Sequence, residues 1–327
     1  MKVFLGVDTS NYTTSMCLVG EDGTIIADER RLLKVASGLR GLRQSEALFQ
    51  HVQNIPELTA RLVTPLEGHD LAAIGVSVKP RPQEESYLPV FLPGQSLAQA
   101  LSHMASIPCY ELTHQETHIW SGIATAGGPV ESEFLAIHLS GGTTELTAVK
   151  RQEEGFNLQI DLWGATSDLH AGQFVDRLGV ALGLGFPCGP ALERLAAETT
   201  ESVPVPTFHR EGIVSFSGPL TALERLVGEL RPEVCARACF KSIARTLVKW
   251  ISWAGTKTEC RNLLVVGGVA ANRLIREELN KALPGWRFYF ANPAYSVDNA
   301  YGAAFFAGLA SGQLSFSPGK TCGKRGG

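Results

Sequence analysis

The chain has no excess of basic residues. Lys and Arg total 29 against 32 for Asp and Glu, a formal charge of -3. A protein that grips nucleic acid by charge alone is excluded, so an RNA substrate would require a local basic patch or a partner subunit. No uninterrupted apolar stretch is long enough to span a bilayer. Met1–Asp8 meets an acid before any long apolar run develops, so neither a signal peptide nor membrane attachment is expected. CxxC spacing is absent among the seven cysteines, at 17, 109, 188, 235, 239, 260 and 322. All seven are read as reduced thiols of a cytoplasmic protein. Cys235 and Cys239 can share one helical face, but two thiols alone make a poor metal site. What is abundant is apolar material: 44% hydrophobic against 19% charged over 327 residues. That excludes disorder as the main state and suits two ordinary domains or one large one.

The first residues alternate strands and turns. Val3 to Val7 is an apolar run ending in the polar cluster Asp8-Thr9-Ser10-Asn11; Thr14 to Val19 reads as a second strand, Glu21-Asp22-Gly23 as a turn, and Thr24 to Ala27 as the start of a third strand. The same pattern returns 130 positions later without a gap. Phe4-Leu5 matches Phe134-Leu135, Val7 matches Ile137, Ser10 matches Ser140, Thr13-Thr14 matches Thr143-Thr144, and Val19 matches Val149. This reads as a duplicated α/β unit, each half opening with an antiparallel meander and closing with helices.

Helices are expected over Glu46 to Leu62, with Leu48, Val52, Ile55 and Leu58 on the core stripe and a break at Pro56, and over Ala236 to Trp253, with Phe240, Ile243, Leu247 and Ile251 inward. Leu263 to Val266 reads as a buried strand leading through Gly267-Gly268 into a helix that runs through Arg273 to Leu279. Residues 201–213 read as a loop, residues 79–94 as an irregular segment broken by four prolines, and Lys320 to Gly327 as a frayed tail.

His114-Gln115-Glu116-Thr117-His118 carries the most chemistry. Thr113 is a candidate cap, and two histidines four apart fall on one helix face, about 40° apart in projection. That spacing serves a metal ion as readily as it serves two ordinary histidines. It is not the zinc-protease HExxH pattern, because Gln115 stands where the glutamate is needed. Asp298, before the small-residue segment Ala300 to Ala310, is a candidate third ligand or an N-cap. Ser140-Gly141-Gly142-Thr143-Thr144 is a glycine turn between strands, where backbone N–H groups can approach a phosphate. Asp8 occupies the equivalent turn of the first copy and is a weak candidate for proton or metal-water handling. Gly267-Gly268 through Asn272 is a nucleotide-type turn. Leu184 to Pro190 offers an opposing wall, and Asp176 is either a ribose acceptor or a solvated helix charge.

Taken in order, these motifs resemble the TsaD family (tRNA threonylcarbamoyladenosine synthases, formerly glycoproteases). The resemblance rests on Leu139 to Leu146, Ala171-Gly172-Gln173-Phe174-Val175-Asp176, Phe186 to Pro190, Ser215-Phe216-Ser217-Gly218, Gly267 to Asn272, Val297 to Ala300, His114-x-Glu116-x-His118 and Ile55 to Leu58. It implies the actin-like ATPase (ASKHA) fold, an α/β architecture of two duplicated RNase H-like domains around a nucleotide cleft. The expected lobes are 1–112 plus 296–327, and 113–295, the second carrying the metal and adenosine motifs. It also implies transfer of a threonylcarbamoyl group from threonylcarbamoyl-adenylate to N6 of a tRNA adenosine beside the anticodon. Metal ligands would be His114, His118 and Asp298, holding one divalent ion (iron, zinc or magnesium). Adenylate or ATP/AMP would meet His138, Leu139, Ser140, Gly141, Gly142, Asp176, Gly189 and Asn272, and a related protein subunit is the expected partner.

The sequence departs from that pattern. Asn11, Tyr12 and Thr13 stand where the family has an acidic pair. Thr143 replaces a histidine, Gln173 a glutamate and Leu220 a lysine, and Lys79-Pro80-Arg81-Pro82 replaces a Gly-Pro-Gly segment. Metal and adenylate positions survive better than acceptor-side ones, the pattern of a divergent paralogue. Two alternatives follow: a carbamoyltransferase-type paralogue with another acceptor, or a non-catalytic nucleotide-binding partner subunit.

Overall fold

The structure is a computed structural model that describes the chain except residues 11, 36–41, 83–85, 153–156, 297, 317–318 and 320–327. Asn11, Val297, Cys322 and the tail lie outside the described residues. Contacts divide the chain into two units: Met1–Val130 with Arg151–Gln159 and Ala294–Gly327, and Glu131–Lys150 with Ile160–Pro293. The expected division after residue 112 differs from this. Residues 113–130 belong to the first unit, because the helix they form continues directly from one of that unit's strands and packs on its last helix.

In the first unit, β1 (Lys2–Asp8), β2 (Thr13–Gly20), β3 (Ile25–Leu32), β4 (Asp70–Lys79) and β5 (Cys109–Thr113) form a sheet of order β3-β2-β1-β4-β5. The first three strands are the antiparallel meander; β4 and β5 join in parallel through α1 (Gln44–Leu66) and α2 (Leu92–Ala105). Helices α3 (His114–Ala126) and α9 (Tyr301–Ala310) complete the unit. In the second, β6 (Glu133–Leu139), β7 (Thr144–Arg151), β8 (Leu158–Thr166), β11 (Asn262–Val266) and β12 (Arg287–Phe290) repeat that order. The short strands β9 (Phe208–Arg210) and β10 (Ile213–Ser215) extend the β8 edge. The duplication therefore reaches strand order as well as sequence. Its helices are α4 (Ala171–Ala181), α5 (Gly189–Ala197), α6 (Ser217–Glu224), α7 (Pro232–Ala254) and α8 (Arg273–Ala282).

Helix α7 buries Phe240, Ile243, Leu247 and Ile251, as its period indicates. Helix α1 does not follow the expected stripe. It runs unbroken through Pro56 and buries Ala47, His51, Asn54, Leu58 and Leu62, while Val52 is half exposed. The reason is a polar core: Thr14 Oγ1 meets His51 Nδ1 at 2.9 Å and accepts from Asn54 Nδ2 at 3.0 Å. Hydrophobic periodicity cannot detect a core face made partly of hydrogen-bonded side chains. Residues 201–213 also differ from expectation, since β9 and the start of β10 fall there. None of the six described cysteines is in a disulfide. Among the described residues, no helix is long and apolar enough to cross a membrane.

Helix α9 sets the geometry of the first unit. Its small residues lie flat on β1 and β4, and only glycine fits beneath. A Cβ on Gly6 would fall 2.0 Å from the Ala300 carbonyl oxygen, and one on Gly75 2.0 Å from that of Ala303. This close approach fixes the start of α9, and so the residues just before it, against the sheet.

Candidate functional site

In the first unit α3 begins immediately after β5, with a reciprocal cap. Thr113 Oγ1 accepts from the Glu116 N–H at 3.1 Å, and Glu116 Oε2 accepts from the Thr113 N–H at 2.8 Å. Glu116 is thereby committed to capping. His114 and His118 project from one face with ring centroids 4.5 Å apart. Their Nε2 atoms lie 3.1 Å from each other, and Asp298 Oδ1 lies 3.4 and 3.5 Å from them. Asp298 is not the cap of α9: Asn299 Oδ1 takes the Tyr301 N–H at 3.0 Å, and Ala300 N–H donates to Ser15 Oγ at 2.9 Å. Those two contacts hold the turn, and the Asp298 carboxylate faces the imidazoles.

These three ligand atoms all lie within 4.8 Å of one another. Their separations fall within the roughly 2.8–3.6 Å between neighbouring donors around a six- or four-coordinate ion bonded at about 2.0–2.2 Å. The donor set, two nitrogens and one carboxylate with further positions open, fits zinc or iron and accommodates magnesium.

Behind His114 sits Asp8, fully buried at the end of β1. Its Oδ1 accepts from the Ser10 N–H at 2.7 Å; its Oδ2 accepts from Ser77 Oγ at 2.9 Å and His114 Nδ1 at 2.8 Å. Ser77 in turn meets Thr117 Oγ1 at 2.9 Å. Asp8 is thus enclosed behind His114, with both carboxylate oxygens taken by hydrogen bonds. By holding the Nδ1 proton it directs Nε2 toward Asp298, the carboxylate–histidine arrangement that orients metal ligands. Burial would push the Asp8 carboxyl up, but the charge and hydrogen bond of His114 prevail and it is held low. Burial likewise opposes a charged His114, yet Asp8 and Asp298 raise it to about 10. Burial also acts against a charged Asp298, and hydrogen bonds from both histidines keep it ionised.

Ser77 and Thr117 are site residues that the motifs do not single out. The available signal was a serine inside the buried run Ile74-Gly75-Val76-Ser77, where an isolated hydroxyl needs a partner.

In the second unit, the Ser140–Thr143 turn closes on the Ser140 hydroxyl, which accepts from the Gly142 and Thr143 N–H groups at 3.3 and 3.0 Å. Gly141 and Gly142 are open to solvent. Helix α4 starts against this turn: Gly172 N–H donates to the Ser140 carbonyl at 3.0 Å, and a Cβ on Gly172 would fall 2.5 Å from Gly141 N. Leu139 is wholly buried, so its side chain belongs to the core; His138 lies beside Val266 of β11 in the sheet register. Asp176 is not a solvated charge, because its Oδ1 accepts from Cys188 N–H at 2.8 Å, next to Gly189, the first residue of α5. Asn272 Oδ1 caps α8 through Ile275 N–H at 3.0 Å, while its buried Nδ2 has no partner among the described residues. A buried amide with a spare donor suits a ligand acceptor such as a purine nitrogen or ribose oxygen.

Asp168 is a further residue that the motifs leave out. Its carboxylate accepts from Ser215 Oγ at 2.5 Å, from the Phe216 and Leu169 N–H groups at 2.9 and 2.6 Å, and from Ser217 Oγ. It is the organiser of the Ser215–Gly218 motif. Desolvation opposes its charge, but the donors from Ser215 and Ser217 hold it down to about 2. With a folded value below the unfolded 3.8, its stabilisation is complete above about pH 4 and is lost as pH falls toward 2. The unfolding midpoints of wild type and Asp168→Asn should therefore differ above pH 4 and converge near pH 2. A constant difference across that range would contradict this role.

The replaced family positions are accounted for locally. Gln173 Oε1 accepts from His170 N–H at 3.2 Å at the start of α4, Thr143 is part of the turn, and Leu220 is buried in the core.

The strand order and duplicated α/β units place the chain among actin-like ATPase folds. Solved structures agree at the level of fold. Full-length HypF in its phosphate- and nucleotide-bound form matches with TM-score 0.57 and 13% identity, over 94% of this chain and 56% of that one. The activator of 2-hydroxyisocaproyl-CoA dehydratase from Clostridium difficile matches with TM-score 0.53 and 13% identity, over 95% and 96%. The family model for tRNA N6-adenosine threonylcarbamoyltransferase matches residues 35–305. Proteins of that name from Thermus thermophilus and Chlorobium phaeobacteroides are 32% and 28% identical, over 90% and 93% of this chain and 88% and 92% of theirs. The chain belongs to the tRNA N6-adenosine threonylcarbamoyltransferase family.

Proposed function

We propose that this chain transfers a threonylcarbamoyl group from threonylcarbamoyl-adenylate to N6 of a tRNA adenosine next to the anticodon, in the cytoplasm and together with a related subunit. The carrying observation is the compact set His114, His118 and Asp298, backed by Asp8, in a chain of this family. A divalent ion bound there would polarise the carbamoyl oxygen or offset charge on the departing phosphate. Asp8 keeps His114 in the ligating tautomer. In the second unit the turn carries no side chain at Gly141 and Gly142, so a phosphate can approach it closely, and Asn272 Nδ2 donates to the nucleoside. The N6 amine attacks the carbonyl carbon, the bond to the phosphate oxygen breaks, AMP leaves, and the amine's proton passes to the departing phosphate or to water. Among the described residues no side chain is placed as a covalent nucleophile, so positioning carries much of the acceleration.

A second reading keeps the adenylate and metal and changes the acceptor. It is favoured at one point: Leu220 is packed in the core where the family has a lysine.

The deciding experiment supplies metal-loaded protein with threonylcarbamoyl-adenylate and tRNA, with and without the related subunit, and measures the modified nucleoside by mass spectrometry. Formation of modified adenosine that is lost in His114→Ala supports the first reading. Consumption of adenylate with small amines but with no tRNA moves the acceptor to the second. No consumption under any condition overturns both.

A further inference from the structure

Helix α7 carries Arg237, Lys241, Arg245 and Lys249, each four positions from the next. That spacing lays them along one oblique ridge of the helix, about 6 Å of rise apart. Arg237 and Lys241 are half-buried, Arg245 and Lys249 exposed. Like charges four residues apart repel and weaken a helix, whereas opposite charges support it. Two other helices use opposite charges. Glu57 meets Arg61 at 2.7 Å on α1, and α8 places Glu277 four residues after Arg273 and four before Lys281. On α7 the one acid, Glu233, is taken by Arg231 at 3.0 Å, and the same guanidinium takes Glu201 at 2.8 Å.

The ridge is oriented from within the fold but is not neutralised there. None of its four residues is in an ion pair among the described residues. Arg237 Nη1 donates to the Ala196 carbonyl at 3.2 Å, and Lys249 Nζ donates to Thr207 Oγ1 at 2.6 Å. These neutral oxygens fix both ends of the ridge without cancelling its charge. His209 feels that charge: burial first, and Lys249 second, hold it below its usual value. The ridge also begins near the nucleotide-type residues, since about 10 Å of α5 separates Ala196 from Gly189.

With a net charge of -3, this chain needs a local basic patch to hold a polyanion. A membrane surface also attracts lysine and arginine, but a helix that lies on one buries apolar side chains beside them. Among the described residues, no large apolar side chain of α7 is exposed. Evenly spaced cations without an apolar edge suit a sugar–phosphate backbone, which is held by charge.

We propose that the α7 ridge of Arg237, Lys241, Arg245 and Lys249 holds the phosphate backbone of the acceptor RNA. This rests on the reading that the acceptor is a tRNA. Such contacts position the RNA and carry no base specificity.

The test follows anisotropy of a labelled anticodon stem–loop RNA against salt concentration, using the metal-loaded full chain with and without the related subunit. Arg245→Gln and Lys249→Gln should each reduce the slope of log affinity against log salt by about 1, and the double variant by about 2. Arg245→Lys keeps the charge and should keep the slope, as should Lys281→Gln on α8. The urea midpoint of the double variant should equal or exceed that of wild type, because a repulsion is removed, so weaker RNA binding is not lost folding. AMP affinity should stay at the wild-type value throughout. An unchanged slope in the double variant would overturn the ridge and leave the tRNA reading standing. A loss seen with the stem–loop but not with a scrambled RNA of equal length would indicate base contacts and overturn the backbone assignment. A wild-type chain that binds AMP but no RNA, even with the subunit, would remove the tRNA reading and the ridge with it.

Discussion

Asp298→Ala is expected to lower divalent-metal affinity by at least about a hundredfold, since loss of a ligand must exceed the 10–100-fold typical of losing a supporting partner. The carboxylate contacts both imidazoles, at 3.4 and 3.5 Å, and no other ligating acid shares the cluster among the described residues. Asp8→Asn is the informative companion. It retains the three ligands but weakens the hold on the His114 Nδ1 proton, so affinity should fall by about 10–100-fold. Calorimetric titration with zinc or iron(II), alongside circular dichroism to confirm folding, separates the two. Equal affinity in wild type and Asp298→Ala would eliminate the metal assignment. A loss in Asp8→Asn as large as in Asp298→Ala would mean that Asp8 is itself a ligand and not a support.

The second large effect lies in packing. Gly6→Ala should destabilise the protein by about 3 kcal/mol or more, at the upper end of overpacking, because the new methyl would meet backbone and not a flexible side chain. It would fall 2.0 Å from the Ala300 carbonyl oxygen and 2.7 Å from Ala304 N. The only relief is to lift α9 from the sheet, which displaces Asp298 just before it. Metal affinity should therefore drop together with the urea midpoint, although residue 6 touches no ligand. Gly285→Ala, with nothing within 4 Å of its Cβ, is the control and should change stability by less than about 0.5 kcal/mol. A Gly6→Ala protein with unaltered midpoint would show that α9 is not seated as described.

Much of the candidate site was legible in residue order. Two histidines four apart after a capping threonine determine a shared helical face, and the reciprocal Thr113–Glu116 cap is readable from the same five residues. The internal match between Phe4–Val19 and Phe134–Val149 was readable because both copies need the same alternation to build a meander. The core face of α1 was not readable. His51 and Asn54 look like surface residues until Thr14, on strand β2, supplies their partner. Asp176 was ambiguous and Asp168 was missed for a related reason: a carboxylate's role depends on which N–H and O–H groups surround it, and those include residues distant in the chain.

Residue order was enough to establish the repeated α/β plan and the family, along with which side chains are able to ligate, because these depend on local periodicity and on the identity of donor atoms. Only the folded chain settles that α3 belongs with the first unit and that Asn299, not Asp298, holds the turn before α9. It also settles that Asp8 stands behind His114 and not in the open. Each of these depends on contacts of a few ångströms between residues far apart in the chain, α3 with α9, Ala300 with Ser15 and Asp8 with His114, and no spacing along a chain encodes such distances.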